Sequence, residues 1–379
     1  MTKKKKLLIG IGIVALLGIA LIGIYRNLQQ ETNDNVIRIG AILPLSGPVS
    51  EDGLETLVGI RIAEESLNVS EGKKVKILIE DGKYSPKDSI SALRALQDGA
   101  LGVDAIIAYG VVPVEAMSPI IKKTDKPLIA TAVGAKDFPD KSNGMIRMWF
   151  PIGRIARLMA EFSFKRLKQT RIATLVINNS YGMEAEDAFS AHYKSLGGIV
   201  GGAETFDMDT KDLRSQLTRL LKQNPDAVFI SGFGQGYISA INQLKELGFS
   251  GVVLTDTAIV DPKVRKGIKN ISNIYYVDTC YYENMNVSTE AIKFRQEYTE
   301  KTAFDMPSMQ AQFSYEAVVL AKMIAEFGCD KTLSNEIDTI IGKIKFDENG
   351  EVILPIVIRK FTDSGETELV DEDLWKTMN

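Results

Sequence analysis

The chain is poor in the residues that carry most metal and nucleophile chemistry. It has a single histidine, His192, and two cysteines, Cys280 and Cys329, in 379 residues. One imidazole excludes every site that needs two or three, including the common catalytic zinc sets, and leaves any Ser-His-Asp triad one candidate base. Two cysteines cannot build a four-cysteine metal site, and neither lies in a CxxC pair. They could form at most one disulfide, and the sequence does not say whether they meet. An excess of basic charge is also missing: 45 Lys and Arg face 49 Asp and Glu, for a net charge of −4, so nothing global favours nucleic acid. What is present is ordinary for a packed protein, with 45% hydrophobic and 25% charged residues. The length suits two domains or one large one.

The N-terminus reads as a membrane signal. Lys3 to Lys6 form a basic cluster, and Leu7 to Tyr25 follow without a charged residue. As a helix rising about 1.5 Å per residue, this run is roughly 28 Å long, close to the hydrocarbon thickness of a bilayer. The lysines place the preceding end in the cytoplasm and everything after Tyr25 outside. The run ends in Ile-Gly-Ile-Tyr-Arg, with no Ala-x-Ala cleavage site and no cysteine for a lipid. The expectation is therefore an uncleaved signal anchor through residues 7–25, with cleavage and secretion as the alternative. Arg26 to Asn35 make a polar tether.

Beyond Val36, short β-branched runs alternate with helical spacing. The strands are VIRIGAIL (36–43), VKILIE (75–80), AIIAYG (105–110), PLIATA (127–132), RIATLVI (171–177), AVFISG (227–232), VVLTD (252–256) and IYYVDTCYY (274–282). Helical patterns lie between them, near 54–67, 87 onward, 114–123, 153–168, 182–196, 211–222 and 236–247. Continuous apolar strands between amphipathic helices mean parallel sheets covered on both faces, in two successive series. The tail departs from the pattern. Long helical stretches (289–301 and 308–327) are followed by KIKFDENGEVILPIVIRKF (343–361), where Asn349-Gly350 marks a hairpin turn.

The order of these motifs resembles the type I periplasmic binding proteins, in the branch similar to leucine/isoleucine/valine-binding proteins. IRIGAILPLSGPVSEDG, with Ser46-Gly47-Pro48, looks like that family's first binding loop. ILIEDGKYSPKDSISALRALQDGALGVDAIIAYG looks like its second to fourth strands. RIATLVINNSYGMEAEDAF resembles the start of the second lobe, and SGFGQGYISAINQLKELGF and IKFDENGEV are similar to later signatures. The resemblance covers residues 36–379. It implies an α/β fold of two doubly wound Rossmann-like lobes joined by three hinge crossovers, preceded by the N-terminal transmembrane helix. The crossings would fall near Arg147–Pro151, Asp278–Glu283 and Lys331–Gly342. Residues 36–148 plus 283–340 would form lobe one, and 149–282 plus 341–379 lobe two.

In open α/β sheets, ligands sit beyond the carboxyl ends of the strands. The loops there are 46–53, 82–85, 111–114, 131–136, 179–183, 233–237 and 256–260. Candidate ligand-binding residues are Ser46, Gly47, Val112, Pro113, Thr131, Ala132, Gly134, Tyr181, Phe233 and Asp256. The resemblance implies a hydroxyl residue for a ligand carboxylate in the loop after AIIAYG, yet that loop reads Gly110-Val-Val-Pro-Val114. It implies a Thr in the next loop, where Gly134 stands, and an aromatic in the first loop, near Asp52. The resemblance also implies an acidic residue that pairs with a ligand ammonium, and Asp256 stands near that position. Its other reading is a helix N-cap.

Other motifs read as scaffold. Gly232-Phe-Gly-Gln-Gly236-Tyr237 imitates a dinucleotide fingerprint, but Tyr237 stands where the third glycine should allow close packing. His192 reads as an exposed helix residue, Asp347–Glu351 as a hairpin turn, and Trp149 as either cleft wall or packing. No catalytic group, metal site or cofactor is expected. The expected function is extracytoplasmic capture of an amino acid, amide or related organic acid for an ABC permease. A membrane-held sensor working with a signalling partner is the alternative.

Overall fold

A computed structural model describes residues 35–374 apart from 70, 99–101, 135–137, 139, 279–287, 303, 305, 355 and 363–365. The Leu7–Tyr25 run and Cys280 lie outside the described residues. Among the described residues no helix is long and apolar enough to cross a membrane.

The first series of elements runs β1 (Val36–Leu43), α1 (Ser50–Val69), β2 (Lys74–Asp81), α2 (Pro86–Asp98), β3 (Ala105–Tyr109), α3 (Val111–Ile121), β4 (Leu128–Thr131) and β5 (Met145–Arg147). Its five strands form one parallel sheet in the order β2-β1-β3-β4-β5. β1 lies inside that sheet, and its Ile39, Ile42 and Leu43 are buried. The stretch expected to hold the second to fourth strands of the family holds two, β2 and β3, because Lys83 to Ser85 turn directly into α2.

The second series runs α4 (Ile152–Lys165), β6 (Arg171–Ile177), α5 (Ser180–Ser195), β7 (Ile199–Phe206), α6 (Arg214–Leu221), β8 (Ala227–Ser231), α7 (Gly234–Glu246), β9 (Val252–Thr255), a 3-10 turn (Thr257–Val260), α8 (Pro262–Gly267) and β10 (Ile274–Asp278). Strands of this series make a seven-stranded sheet in the order β15-β14-β10-β9-β8-β6-β7, parallel up to β10. β14 (Val357–Phe361) and β15 (Thr367–Asp371) close it antiparallel.

Between β10 and β14 the chain returns to the first lobe. There α9 (Thr289–Thr302) and α10 (Met309–Phe327) pack against α1, and α10 also covers β1, β3 and β4. The α1–α10 contact is close enough that a Cβ on Gly59 would lie 1.9 Å from the Ala311 carbonyl oxygen. Ser314 Oγ donates to the Thr56 carbonyl across the same seam at 2.9 Å. After α11 (Cys329–Leu333) comes a small antiparallel sheet of β11 (Ile337–Thr339), β12 (Gly342–Phe346) and β13 (Val352–Ile353).

The chain therefore passes between the two lobes three times. The expected hairpin forms at Asp347–Gly350, where Asp347 Oδ1 accepts from the backbone of Asn349 at 2.8 Å and of Glu351 at 2.9 Å. It is not the chain's last element, since the β14–β15 pair follows. Arg147 at the end of β5 meets this hairpin: its backbone N–H donates to the Gly350 carbonyl at 3.0 Å, and its Nε lies 3.4 Å from Glu351 Oε1. His192 is not a bare surface residue, because its Nε2 lies 2.7 Å from Glu161 Oε2 on the neighbouring helix α4.

Candidate functional site

The carboxyl ends of both parallel sheets face one cavity of about 380 Å³. Every one of the seven strand-end loops reaches it. Lobe one contributes Asp52, Tyr84, Val111 and Ala132, and lobe two contributes Tyr181, Phe233 and Thr257. Tyr109 and Trp149 complete an aromatic wall. Trp149 serves both of its expected uses, since its ring also packs 4.8 Å from those of Phe150 and Phe313. A second cavity of about 480 Å³ opens between α3 and α5, lined by Glu115, Arg157, Glu184 and Asp187 among others. It takes residues from three of the seven loops and one aromatic, so the first cavity is the stronger ligand candidate.

Of the ten residues expected to bind ligand, Ala132, Tyr181 and Phe233 line this cavity. The Tyr181 and Phe233 rings meet edge to face, with centroids 6.0 Å apart. Ala132 has a left-handed backbone, φ 54°, as does Tyr84, φ 55°. For residues with a Cβ this conformation costs roughly 1–2 kcal/mol, and such strain gathers at ligand-facing loops.

The other seven stand behind the wall. Ser46 Oγ donates to Asp81 Oδ2 at 2.6 Å, and the backbone N–H groups of Leu45, Ser46 and Lys83 donate to Oδ1. Burial works against ionisation of Asp81, but these donors, Ser46 first, hold its carboxyl below the usual range. Gly47 turns the loop with φ 90°. Val112 and Pro113 lie in the first turn of α3, and the Val112 N–H is engaged by the Tyr84 hydroxyl. Thr131 is buried at the end of β4. A Cβ on Gly134 would lie 2.8 Å from the Tyr181 ring, so this glycine makes room for an aromatic wall residue.

Asp256 is fully buried beneath the cavity. Its Oδ1 caps the following 3-10 turn by accepting from Ala258 N at 3.0 Å. Its Oδ2 accepts from Ser231 Oγ at 2.7 Å, Gly232 N at 3.0 Å and the Tyr181 hydroxyl at 3.1 Å. Burial raises its pKa, while those donors pull it back. Both of its oxygens already have protein donors.

Among the described residues, the acids that face the cavity are Glu51, Asp52, Asp209 and Asp261, opposite a single ammonium, Lys263. Asp52 Oδ2 accepts from the Tyr109 hydroxyl at 3.0 Å. Burial, with Asp261 and Glu51 nearby, pushes the Asp52 carboxyl up to about 6 against the bond from Tyr109 and the charge of Lys263. Asp261 is raised by burial as well. Lys263 reaches across the cleft to α1, with Nζ 3.3 Å from Glu51 Oε2 and 3.6 Å from Glu55 Oε1. Burial works to lower its pKa, but Glu55 and Glu51 outweigh that and raise it. Ser180 Oγ makes a second cross-lobe bond, donating to Glu115 Oε1 at 2.8 Å.

The periplasmic binding protein family profile matches residues 36–345. The chain belongs to that family. It is 26% identical over 224 residues to Leu/Ile/Val-binding protein homolog 3 of Brucella melitensis, a match covering 58% of this chain and 60% of that relative. The match to the Leu/Ile/Val-binding protein BraC3 of Rhizobium johnstonii likewise spans 60% of the relative's length. Among solved structures, the leucine-binding protein LivK of Thermotoga maritima is 24% identical, with a TM-score of 0.76 over 88% of this chain and 97% of that one. An ABC transporter solute-binding protein of R. palustris, solved in complex with benzoate, is 16% identical, with a TM-score of 0.76 over 89% and 96%. These two structures share the fold of this chain, and the branch resembled in the sequence is the one to which the relatives belong. The relatives are binding proteins, not enzymes.

Within this periplasmic binding protein, sequence reasoning missed Tyr84, Tyr109, Asp261, Lys263 and Gln310 as wall residues. Tyr109 reads as the last core residue of a strand. Asp261 and Lys263 read as the cap and first turn of a short helix, and Asp261 does accept from Lys263 N at 2.7 Å. A visible signal was the pairing of two tyrosines, at the ends of two consecutive strands of the chain, with an acid where the family resemblance implies an aromatic.

Proposed function

We propose that this chain captures a small organic solute between its two lobes and hands it to an ABC importer. The observation that carries the reading is the convergence of all seven strand-end loops, from both sheets, on one aromatic-walled cavity. A hinge built from three chain passages lets two lobes close over a ligand, and closure strengthens polar contacts by removing water. The run Leu7–Tyr25 would hold the protein at the cell membrane as a single-pass anchor, with the lobes extracytoplasmic.

Small-angle scattering and thermal melting test the capture step. A ligand that raises the melting temperature should also shrink the radius of gyration. A ligand that stabilises without compaction contradicts closure. The importer step is tested by uptake in proteoliposomes holding a candidate ABC permease of the same organism. Uptake that is independent of this protein removes the transport role. For the anchor, membranes washed in high salt should retain the full-length chain. A mature N-terminus within residues 20–35 would show cleavage instead.

A further inference from the structure

The amino acid, amide or organic acid expected from the family resemblance needs donors in the cleft, and several of the side-chain donors there are already engaged by protein groups. The Tyr109 hydroxyl donates to Asp52, and the Gln310 side chain bonds back to Tyr109. The Tyr181 hydroxyl donates to Asp256. The start of α3 would be a natural anion site, with free N–H groups and a positive dipole end. Tyr84 covers it: its hydroxyl engages the Val112 N–H, and its ring lies where a Cβ on Gly110 would sit, 2.4 Å away. Lys263, the one cation of the wall, is paired with Glu51 and Glu55.

Acceptors, in contrast, are in surplus, with four carboxyl groups in the wall. Asp52 from lobe one and Asp261 from lobe two line the same cavity, and the charge of Asp261 raises the proton affinity of Asp52 across the cleft, so closing the lobes over an empty or anionic site brings like charges together. Around them stand the rings of Tyr84, Tyr109, Trp149, Tyr181 and Phe233. Aromatic faces attract cations within about 6 Å, most strongly where water is excluded. At about 30 Å³ per water, 380 Å³ is room for about a dozen water-sized groups, enough for a small organic molecule.

We propose that the cavity takes an organic cation, an amine or quaternary ammonium without a carboxylate of its own, seated between Asp52 and Asp261 against the aromatic wall. This rests on the solute-capture reading and narrows its ligand class. The cation replaces the repulsion between the two acids with two attractions, which makes it the agent of lobe closure.

The test is calorimetry and thermal melting on the full-length chain in detergent, with choline, tetramethylammonium and putrescine set against leucine, isoleucine and benzoate. At least one cation should bind and raise the melting temperature, and the carboxylate-bearing compounds should not. Asp52→Asn and Asp261→Asn should each weaken that cation at least tenfold; asparagine still caps α8 at position 261, so folding is retained. Binding should also weaken as pH falls from 8 to 5, because Asp52 takes a proton near 6. The charged and titratable groups facing Asp52 are Tyr84, Tyr109, Glu51, Asp261 and Lys263, so the Asp52→Asn variant should lose most of that pH dependence. Binding of leucine or benzoate without any cation overturns the inference but leaves solute capture standing. A panel in which no cation binds overturns it as well. Equal protection by calcium or magnesium, in competition with the organic cation, would make this an inorganic site and overturn it too.

Discussion

Asp256 holds Tyr181 from beneath: the phenol donates to Oδ2 at 3.1 Å, and the same oxygen accepts from Ser231 Oγ and Gly232 N. One buried carboxylate thus ties together the ends of β8 and β9 and the start of α5, and it sets the angle of a cavity wall it does not itself line. The strand-end position that suggested a ligand counter-charge belongs instead to the group that organises the wall.

Asp256→Asn tests this directly. An asparagine has one acceptor oxygen, whereas Asp256 receives donors at both oxygens. In either orientation an N–H of the amide points at a backbone N–H. The expected loss is about 2 kcal/mol or more, the scale of a hydrogen bond to a charged group, read from urea unfolding. Asparagine caps nearly as well as aspartate. A loss under about 0.5 kcal/mol would reduce Asp256 to a cap.

Gly134→Ala should disturb the same wall from the other side. The new Cβ would lie 2.8 Å from Tyr181 Cε2 and 3.4 Å from Ile152 Cβ. Gly134 does not have a positive φ, so alanine is conformationally allowed and the conflict is steric. The ring is pinned by Asp256 and must move as a unit with its loop. The expected result is overpacking of about 1–3 kcal/mol, with a loss of affinity for any ligand that compacts the protein. Unchanged affinity at reduced stability would mean that the Tyr181 ring does not contact ligand.

Much of the fold was legible because the strands are buried on both faces. The apolar runs RIATLVI and AVFISG each carry one small, buried hydroxyl, Thr174 and Ser231, which does not break their pattern, and they form β6 and β8. Where burial fails, so does the signal. Ile199–Phe206 is an edge strand with two glycines, and it is missing from the strands legible in the sequence. The exposed TELVD of β15 gave no sign of a second hairpin. At the site, strand-end loops were legible from topology alone, and all seven converge. Individual side chains were not. Ser46 and Asp256 sit in the right loops but turn toward Asp81 and Tyr181. Asp52 sits in the first turn of α1, where an acid is also explained by the helix dipole.

Lys263 joins the lobes, and its removal should open them. Its ammonium lies 3.3 Å from Glu51 and 3.6 Å from Glu55, but its side chain is 44% exposed, so the pair is screened. Such pairs contribute about 0–1 kcal/mol. Lys263→Met should therefore leave unfolding stability within about 1 kcal/mol. An equal shift in the open–closed balance changes the populations about fivefold, and scattering from the unliganded variant should give a larger radius of gyration. An unchanged radius would show that the cross-lobe pair does not bias closure.

Glu316 offers a pH signature that belongs to the fold rather than the site. It lies within α10, 2% exposed, and its Oε1 accepts from the Ile340 N–H at 2.6 Å. Burial pushes its carboxyl from 4.5 up to about 8, opposed by that bond. Between those two values the folded chain holds a proton that the unfolded chain releases, so stability falls as pH rises through the window. The stabilising contribution is fully present below 4.5 and lost above about 8. At about 1.36 kcal/mol per unit, the loss is on the order of 5 kcal/mol. Glu316→Gln keeps the acceptor for Ile340 and cannot ionise. Its urea unfolding free energy should match the wild type near pH 4.5 and exceed it increasingly toward pH 8.5. Other raised acids, Asp52 near 6 and Glu351 near 7, remain in both proteins and cancel in the difference. A difference that stays flat across the window would show that Glu316 ionises in the folded protein as readily as in the unfolded one, and that its burial is relieved by water.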